Sequence, residues 1–273
     1  MALKRVFVTG GNAGIGLALC KQLAEENGCH VYLGSRSLER GEAAVKSIIE
    51  AAPKCEGKIE LVQVDTASDA SVAAAAEAVK AKLGSELLYG VVNNAGAGLS
   101  HGVTSEAVLN TNVQGPKRVC EAFVPLLDPK GGRVVNVGSG LGAVFVSKCS
   151  EDKKKLLSSP STTWDQLQAL VAEESASPDL NAYGLSKACL TVYTMILARE
   201  HPELKVNCIT PGFIDTAMTA GFGASKPPEE GTVAIRHCLF AELEGNGRFY
   251  GSDALRSPVD RPRNPGEPAY TGE

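Results

Sequence analysis

Short apolar runs alternate with longer amphipathic stretches along most of the chain. Runs rich in β-branched and aromatic residues predict seven strands, at positions 6–9, 31–35, 59–65, 87–92, 133–137, 205–209 and 248–250. The segments between them show helical periodicity, and strands that alternate with helices favour a mostly parallel sheet covered on both faces. We therefore predict a single α/β domain with a doubly wound, Rossmann-type, seven-stranded sheet.

This alternation is interrupted before the sixth strand, between about 147 and 180. Thr163 and Gln166 have the spacing of a capping box, which predicts a helix that begins there. An apolar stripe follows at helical spacing, formed by Trp164, Leu167, Leu170 and Val171. The segment is therefore predicted to be a helical insertion that packs against the rest of the domain.

The end of the chain has a different character. From residue 252 onward the sequence contains four prolines and no apolar periodicity. This pattern is typical of a surface-following or loose segment. We expect one domain over residues 1–251 and a proline-rich C-terminal tail over residues 252–273.

Composition limits the classes of partner and compartment. The net charge of −4, with no run of Lys and Arg that forms an obvious phosphate-binding stripe, argues against a nucleic acid partner. We interpret Lys153-Lys154-Lys155 as a solvated helix face. The eight cysteines show no C-x-x-C pair and no metal-ligand spacing with the four histidines, His101 among them. We interpret them as reduced thiols of a cytoplasmic protein and expect no metal. The segment from Met1 lacks an apolar signal region, and no apolar run reaches the ~18 residues of a membrane span.

A glycine-rich turn follows the first strand and leads into a helix. Its residues are Gly10, Gly11, Asn12, Ala13, Gly14, Ile15 and Gly16. Glycine lets the backbone approach a pyrophosphate closely, and the N-terminus of the helix supplies free N–H groups and the positive end of a dipole. The spacing, G-x-x-x-G-x-G, therefore indicates a phosphate-binding turn, although such a loop alone is also a common structural turn.

The second strand ends at Arg36, and Arg40 lies in the first turn of the helix that follows. In a dinucleotide fold this position faces the adenosine ribose, where an acid selects the 2′-hydroxyl and an arginine suits a 2′-phosphate. Positions 34–37 contain no Asp or Glu. The pattern predicts NADP(H) as the cofactor in preference to NAD(H).

Further candidate residues stand where the other strands end. They are Asp65, Asn93, Asn94, Ala95, Gly96, Ser139, Pro211 and Gly212. Ligands of open parallel sheets bind at this edge, small residues permit close backbone approach, and amides can act as structural clamps. Asn93, Asn94 and Ser139 are equally consistent with ordinary turn residues.

Two polar residues mark the helices on this side of the chain. Asp69 is expected to cap an alanine-rich helix that runs to about Leu83. Asn112 falls inside a helix predicted from about 104 to 127. Because Asn is unfavourable in a helix interior, Asn112 either faces solvent or makes a local hydrogen bond.

Tyr183 and Lys187 are four residues apart at the start of an apolar helix. This spacing places them on one face, roughly 6 Å apart along the axis. A nearby ammonium group favours the ionised form of a phenol, and such a tyrosine can exchange a proton with a substrate oxygen near neutral pH. For the pair alone, a chance surface contact is the alternative.

These motifs occur in a fixed order along the chain. They are Thr9-Gly10-x-x-x-Gly14-x-Gly16, Asn93-Asn94-Ala95-Gly96, Asn112, Ser139, Tyr183-x-x-x-Lys187 and Pro211-Gly212. Together they resemble the short-chain dehydrogenase/reductase family, over the chain to about Tyr250.

The resemblance implies a role for each residue of the predicted catalytic site. Tyr183 would be the general acid, Ser139 would hold the substrate oxygen, and Lys187 would bind the nicotinamide ribose. Asn112 would keep a water by which protons reach Lys187. The cofactor would be contacted by Gly10, Asn12, Ala13, Gly14, Ile15, Gly16, Arg36, Arg40, Asp65, Asn94, Ala95, Gly96, Tyr183, Lys187, Pro211, Gly212 and Thr216.

The insertion before Tyr183 resembles that of the monomeric carbonyl reductases. It implies a monomer, because it covers a surface that pairs with a second subunit in most of the family, and we expect it to form one wall of the substrate pocket. Ala13 stands where this subgroup often has a lysine that helps to hold the 2′-phosphate, which leaves that role to Arg36 and Arg40. The sequence thus predicts NADPH-dependent reduction of an aldehyde or ketone. Alternatives are an NAD(P)-dependent alcohol or steroid dehydrogenase that works in the oxidative direction, and a non-catalytic dinucleotide-binding protein.

Overall fold

The computed structural model describes residues 3–98, 102–177 and 179–272. Of the positions covered by the predictions above, residues 1, 2, 99–101, 178 and 273 lie outside this range. Seven strands form one sheet, all pairs of which are parallel, in the order β3-β2-β1-β4-β5-β6-β7. The strands are β1 (Arg5–Val8), β2 (His30–Ser35), β3 (Ile59–Gln63), β4 (Gly90–Asn93), β5 (Arg133–Val137), β6 (Lys205–Ile209) and β7 (Phe249–Tyr250). This arrangement confirms the predicted Rossmann-type fold.

Helices cover the sheet on both faces. They are α1 (Gly14–Glu25), α2 (Leu38–Ala51), α3 (Asp69–Leu83), α4 (Ser105–Leu109), α5 (Gly115–Phe123), α6 (Gly140–Ser147), α7 (Glu151–Ser158), α8 (Trp164–Ser175), α9 (Ala182–Glu200) and α10 (Val233–Phe240). One apolar core joins the sheet to α1, α2 and α10, and a second joins it to α3, α5 and α9. Strands buried on both faces explain why the predicted strands read as continuous apolar runs.

The helical segment predicted from about 104 to 127 is observed over residues 105–126, but it is not one regular α-helix. A π-helical turn, Asn110–Gln114, separates α4 from α5, and a 3₁₀ turn, Val124–Leu126, follows α5. Pro116 lies in the first turn of α5, where its missing N–H costs nothing. The structure also corrects the cap of α3, because the side chain of Ser68, and not that of Asp69, accepts a hydrogen bond from the N–H of Ser71.

The insertion forms α7 and α8 and packs against the domain. Thr163 and Gln166 make the predicted capping box, and Leu167 and Leu170 are buried. The ring of Trp164 meets that of Tyr193 in α9 edge-on, with the ring centroids 5.6 Å apart. The predicted apolar stripe is therefore confirmed, and α9 is the surface that it covers.

The tail follows the surface of the domain. Ser257 donates from its N–H to the carbonyl of Phe249, so the chain returns antiparallel to β7. Within the described residues, no helix has the length and apolarity needed to cross a membrane. All eight cysteines are unpaired thiols.

Candidate active site

Lys187 is buried at the carboxyl end of β5. Only 5% of its surface is exposed, and its Nζ donates a hydrogen bond of 2.9 Å to the carbonyl of Val137. No carboxylate among residues 3–98, 102–177 and 179–272 lies within 4.0 Å of this ammonium group. Because lysine is almost never buried without a paired charge, this position indicates a functional cation.

Tyr183 stands one helical turn before Lys187. Asn181 caps α9 with its Oδ1, which accepts from the N–H of Gly184 at 3.0 Å, and so fixes where the helix begins. The Nζ of Lys187 lies 5.7 Å from the centre of the half-buried Tyr183 ring. The structure thus brings the predicted pair together on one helix face.

Ser139 caps α6, directly after β5. Its Oγ accepts a hydrogen bond of 3.2 Å from the N–H of Leu141, which leaves the hydroxyl hydrogen available to another acceptor. Helix α6 packs closely on α9 because residue 142 is glycine: a Cβ on Gly142 would lie only 2.8 Å from the backbone nitrogen of Ala188. Tight helix packing therefore holds the Ser139 turn beside the beginning of α9.

Asn112 lies within the π-helical turn and is buried. Its Oδ1 accepts from the N–H of Ala97 at 2.8 Å, and its Nδ2 donates to the carbonyl of Ala97 and to the Oγ of Ser186. A Cβ on Gly96 would lie 3.3 Å from the Oδ1 of Asn112 and 3.5 Å from the Nζ of Lys187. Asn112 and Lys187 therefore share one wall at Gly96, and π-turns of this kind are frequent at functional sites.

The glycine loop needs its glycines for two different reasons. Gly10 and Gly14 have positive φ angles of 65° and 52°, which other residues adopt only with strain. Gly16 is required by space, because a Cβ there would lie 2.2 Å from the carbonyl oxygen of Gly10. The loop therefore keeps its backbone open toward the β1–β4 crevice.

Asn94 clamps this loop from the end of β4. Its Nδ2 donates to the carbonyls of Thr9 and Gly10, at 3.0 and 3.1 Å. The Oγ1 of Thr9 in turn accepts from the N–H groups of Asn94 and Ala95. The sequence left open whether Asn94 is a structural clamp or an ordinary turn residue, and these hydrogen bonds identify it as a clamp. Its neighbour Asn93 is buried and donates to Asn136.

The N-terminus of α1 is suited to an anion. Its N-cap, the exposed Ala13, makes no side-chain hydrogen bond to the helix, whereas Ser37 and Ser68 cap α2 and α3. The first N–H groups of α1 are thus available to a phosphate, with the positive end of the helix dipole behind them. Thr216 covers the loop from the other side, since a Cβ on Gly14 would lie 3.1 Å from its Cγ2.

Arg36 and Arg40 are exposed at the end of β2 and in the first turn of α2. Neither makes an ion pair with a carboxylate in the described part of the chain. Asp65, at the end of the neighbouring β3, accepts from the N–H of Ala67 through Oδ1, at 3.0 Å. The guanidinium groups therefore remain available to a phosphate at the adenosine end of the crevice.

Thr210 is a positioning residue that the sequence reasoning missed. Its Oγ1 accepts from the N–H of Gly140, at 3.1 Å, and from the N–H of Gly212, at 3.4 Å. It thus ties the Ser139 turn to the Pro211-Gly212 segment after β6. The available signal was a hydroxyl residue at the end of a strand, directly before Pro211.

The described residues contain no group of three or more His, Cys, Asp and Glu side chains that could hold a metal ion. Burial raises the pKa of the Cys208 thiol, which lies behind the Ser139 turn. The surroundings of Lys187 therefore contain a neutral thiol and polar backbone groups. The chemistry of the site rests on a hydroxyl, a phenol and one buried cation.

A glycine loop at the β1–β4 switch point, an uncapped helix N-terminus and a Ser–Tyr–Lys group define a dinucleotide-binding α/β protein with an oxidoreductase site. A family model described as short chain dehydrogenase matches residues 4–150, and one described as Enoyl-(Acyl carrier protein) reductase matches residues 167–235. The chain belongs to the short-chain dehydrogenase family.

Individual relatives cover nearly the whole chain. The (+)-neomenthol dehydrogenase of Arabidopsis thaliana is 33% identical over 275 residues, which span 87% of this chain and 92% of that protein. Carbonyl reductase (NADPH) 1 of Homo sapiens is 32% identical over 270 residues, with coverage of 89% and 94%. The structure of salutaridine reductase from Papaver somniferum has a TM-score of 0.78 at 27% identity, covering 90% of this chain and 99% of that one. These similarities confirm the predicted resemblance to carbonyl reductases.

Proposed function

We propose that this protein is an NADPH-dependent carbonyl reductase that converts an aldehyde or ketone to the alcohol, with Tyr183 as the general acid. The observation that carries the proposal is the buried Lys187, which has no carboxylate partner among the described residues and lies one turn from the half-buried Tyr183. A structural lysine in this position would be left without compensation for its burial.

The residues present fit NADPH. The open backbone of the glycine loop and the uncapped N-terminus of α1 suit the pyrophosphate, and the unpaired Arg36 and Arg40 suit the 2′-phosphate. The human relative bears NADPH in its name, which supports the same preference. When bound, this cofactor supplies a hydride to the carbonyl carbon.

The protein's own residues act on the substrate oxygen. Ser139 retains a hydroxyl hydrogen that can be donated to it, because its cap bond to Leu141 uses only a lone pair. Tyr183 gives its proton to the oxygen as negative charge develops there. Lys187 places its positive charge 5.7 Å from the centre of the Tyr183 ring, beside the phenol from which the proton leaves. Asn112 and Gly96 form the wall beside Lys187, from which a water could return the proton.

The same residues could also catalyse the reverse reaction, oxidation of an alcohol. The name of one relative, neomenthol dehydrogenase, supports this second candidate. An oxidative enzyme would use NADP⁺ and an alcohol at the same Ser139 and Tyr183. A binding protein without turnover is disfavoured, since it could use Lys187 for the nicotinamide ribose but would have no use for the phenol of Tyr183 beside that cation.

We also infer a monomer in a reducing, cytoplasm-like compartment. Trp164 and Leu170 of α8 lie on the core that includes α9, and Gln168 accepts a hydrogen bond of 3.1 Å from Gln114, just before α5. The insertion thereby covers α5 and α9 within one chain, and the eight unpaired cysteines suit a reducing compartment.

The insertion is also proposed to shape the substrate site. A cavity of about 390 Å³ is lined by Phe145 of α6 and the adjacent Lys148, by Lys153 of α7 and Glu174 of α8, and by Asn181, two residues before Tyr183. Ser139, Tyr183 and Lys187 do not line this cavity, so it would hold the part of the substrate remote from the reacting oxygen. The exposed Phe213 and Phe222, in the segment after Gly212, offer apolar surface to the same substrate.

The test is oxidation of NADPH, followed by absorbance, with benzaldehyde, menadione and menthone as an aldehyde, a quinone and a bulky ketone. We expect turnover of at least one of them with NADPH and much slower turnover with NADH. Absence of turnover with all three, in protein that binds NADPH tightly, would favour the non-catalytic alternative. Faster oxidation of menthol with NADP⁺ than reduction of menthone would favour the oxidative direction.

A further inference from the structure

After β7 the chain folds back twice: residues 255–257 pair with residues 249–251, and Tyr270 then pairs with Arg256. Gly251 donates from its N–H to the carbonyl of Leu255, and Ser257 donates to Phe249, both at 2.8 Å. Farther along, the N–H of Tyr270 donates to the carbonyl of Arg256 at 2.9 Å. The free edge of β7 is therefore protected by backbone pairing alone.

Arg263 does more than this edge cover requires. Its side chain is only 4% exposed, and all five of its N–H groups are used. The acceptors are the two carboxylate oxygens of Asp253, the Oγ of Ser257, and the carbonyls of Glu267 and Pro268. An arginine side chain with every donor satisfied holds one geometry, and loss of its partners leaves a largely covered charge without compensation.

Asp253 is the carboxylate partner of Arg263, and we call this ion pair the C-terminal clasp. Its oxygens lie 3.0 and 2.6 Å from the two terminal nitrogens of Arg263, in a bidentate pair. The guanidinium group holds the pKa of Asp253 down at about 2. Glycine at position 251 leaves room for this pair, because a Cβ there would lie 2.7 Å from both the Nη1 of Arg263 and the Oδ1 of Asp253.

The clasp adjoins the active site through Ser252, which stands between Gly251 and Asp253. A Cβ on Gly212 would lie 3.1 Å from the Cβ of Ser252, so these two segments are in direct contact. Thr210, directly after β6, donates from its N–H to the carbonyl of Tyr250, the last residue of β7, at 2.9 Å. The Oγ1 of Thr210 also accepts hydrogen bonds from the N–H groups of Gly140 and Gly212. Thr210 therefore links β7, and the clasp that follows it, to the Ser139 turn by hydrogen bonds.

We propose that the C-terminal clasp is a positioning device for the active site, in which Arg263 fixes Ser252 against Gly212 and so aligns residues 210–212 with Ser139. The inference rests on the proposed function, since the aligned segment lies at the reacting end of the cofactor crevice. The adenosine end is distant along the sheet, because Arg36 follows β2 whereas Gly212 follows β6, four strands away in the sheet order.

This separation gives the proposal a selective test. Arg263→Gln removes the guanidinium group. Arg261→Gln is the matched control, because Arg261 is exposed and, within the described residues, pairs with the adjacent Asp260 and lies over the ring of Tyr270 without contacting Asp253. The two variants and the unmodified protein are titrated with NADPH and with adenosine 2′,5′-bisphosphate, which lacks the nicotinamide half. Thermal unfolding and the kcat and KM for the best carbonyl compound of the panel are measured on the same samples.

We expect Arg263→Gln to lower kcat/KM at least about tenfold, because misplacement of reacting groups by an ångström costs up to about 10²-fold. NADPH should bind more weakly to this variant, and adenosine 2′,5′-bisphosphate should bind as it does to the unmodified protein. Arg261→Gln should leave all of these quantities unchanged.

Two results would overturn the proposal. If Arg263→Gln lowers only the unfolding temperature, with kcat/KM and NADPH affinity of the folded protein unchanged, the clasp serves stability alone. If both ligands lose affinity in proportion, the variant has loosened the whole domain. Should Arg263→Gln fail to fold, Arg263→Lys and Asp253→Asn, which keep part of the pair, are judged by the same criteria. Failure of the proposed function looks different, since the unmodified protein would then bind neither NADPH nor the bisphosphate, or would not turn over.

Discussion

At the scale of single residues, the account depends on how a charge is kept inside the protein. Lys187 donates a hydrogen bond to the carbonyl of Val137 and has no carboxylate partner within the described residues, so its ammonium group is compensated only by dipoles. Such an arrangement is costly and is retained where the charge acts on a neighbour. The neighbour here is Tyr183.

Replacement of Tyr183 by Phe removes the proton donor and retains the ring. We expect kcat to fall by at least about 10²-fold, with NADPH binding nearly intact, since the loss falls on the transition state. Steady-state kinetics with the best substrate of the panel, together with a fluorescence titration of NADPH, measure both quantities. A variant with most of its activity would remove Tyr183 from the mechanism.

Arg36 tests the choice of cofactor. Arg36→Asp should weaken NADPH binding by about 1.5–3 kcal/mol, the range for a hydrogen bond to a charged group, and should weaken NADH binding far less. Lys46→Asp is the matched control, because it makes the same change of charge at an exposed position of α2, away from the end of β2. Equal affinities of the unmodified protein for NADPH and NADH would show the Arg36 assignment to be wrong.

At the scale of elements, the sequence predicted best where local signals and packing agree. The bounds of β5 and β6 were predicted residue for residue, since buried parallel strands read as apolar runs. The break between α4 and α5 was not, because the reason for it is remote: Asn112 binds the backbone of Ala97 and Ser186 of α9. Periodicity cannot register such long-range contacts, although Pro116 and Pro125 were visible warnings against one continuous helix.

Replacement of Gly16 by Ala in the glycine loop has two opposing effects on stability, a gain in helix propensity and a steric clash. Gly→Ala inside a helix gains up to about 1 kcal/mol from propensity. At Gly16, however, the added Cβ would lie 2.2 Å from the carbonyl oxygen of Gly10, and backbone cannot move aside as a flexible side chain does. We expect Gly16→Ala to be destabilising by about 1–3 kcal/mol, the usual cost of overpacking, and to lose NADPH affinity.

Urea unfolding and NADPH titration measure the two effects of Gly16→Ala. Gly57→Ala is a suitable control for NADPH affinity, because Gly57 lies in the turn before β3, with φ of 73°, and has no atom within 4 Å of the added Cβ. This control should lose some stability and keep its NADPH affinity. Unchanged NADPH affinity in Gly16→Ala would contradict the role of the loop.

The Asp253–Arg263 pair predicts a pH-dependent contribution to stability. Because Arg263 holds the pKa of Asp253 at about 2, below its ordinary value of 3.8, the pair stabilises the protein at pH values above the ordinary pKa. This contribution is lost as the pH falls from about 4 through about 2. Asp253→Asn should thus be less stable than the unmodified protein at neutral pH, and the difference should shrink across that window. Urea unfolding at a series of pH values measures it, and a constant difference would exclude the ion pair as its cause.

At the scale of the whole molecule, the insertion and the tail are two additions to the sheet and its helices, and they differ in how well the sequence predicted them. The capping box of Thr163 and the stripe beginning at Trp164 could be predicted because both are short-range patterns. The order of the tail could not, because it depends on Arg263 meeting Asp253, Ser257 and the carbonyls of residues 267 and 268. Nothing in the local composition distinguishes such a segment from a loose one.

The covered surface of α9 predicts the state of assembly. Helix α8 covers α9, and the family resemblance implies that helices flanking the active site pair two subunits in most members. We therefore expect a monomer with a mass near 28.4 kDa. Light scattering at micromolar concentration measures this mass. A stable dimer or tetramer would mean that the insertion leaves a pairing surface open, and the proposed pocket wall would lose its support.

The central claim is that the protein transfers hydride from NADPH to a carbonyl carbon. The most direct measurement uses NADPH labelled with deuterium in turn at each of the two C4 positions of the nicotinamide, with mass spectrometry of the alcohol product. We predict one deuterium on the carbinol carbon with one labelled form and none with the other, because a fixed site presents a single face of the cofactor. An unlabelled alcohol with both forms, or no alcohol at all from the whole carbonyl panel, would contradict the account.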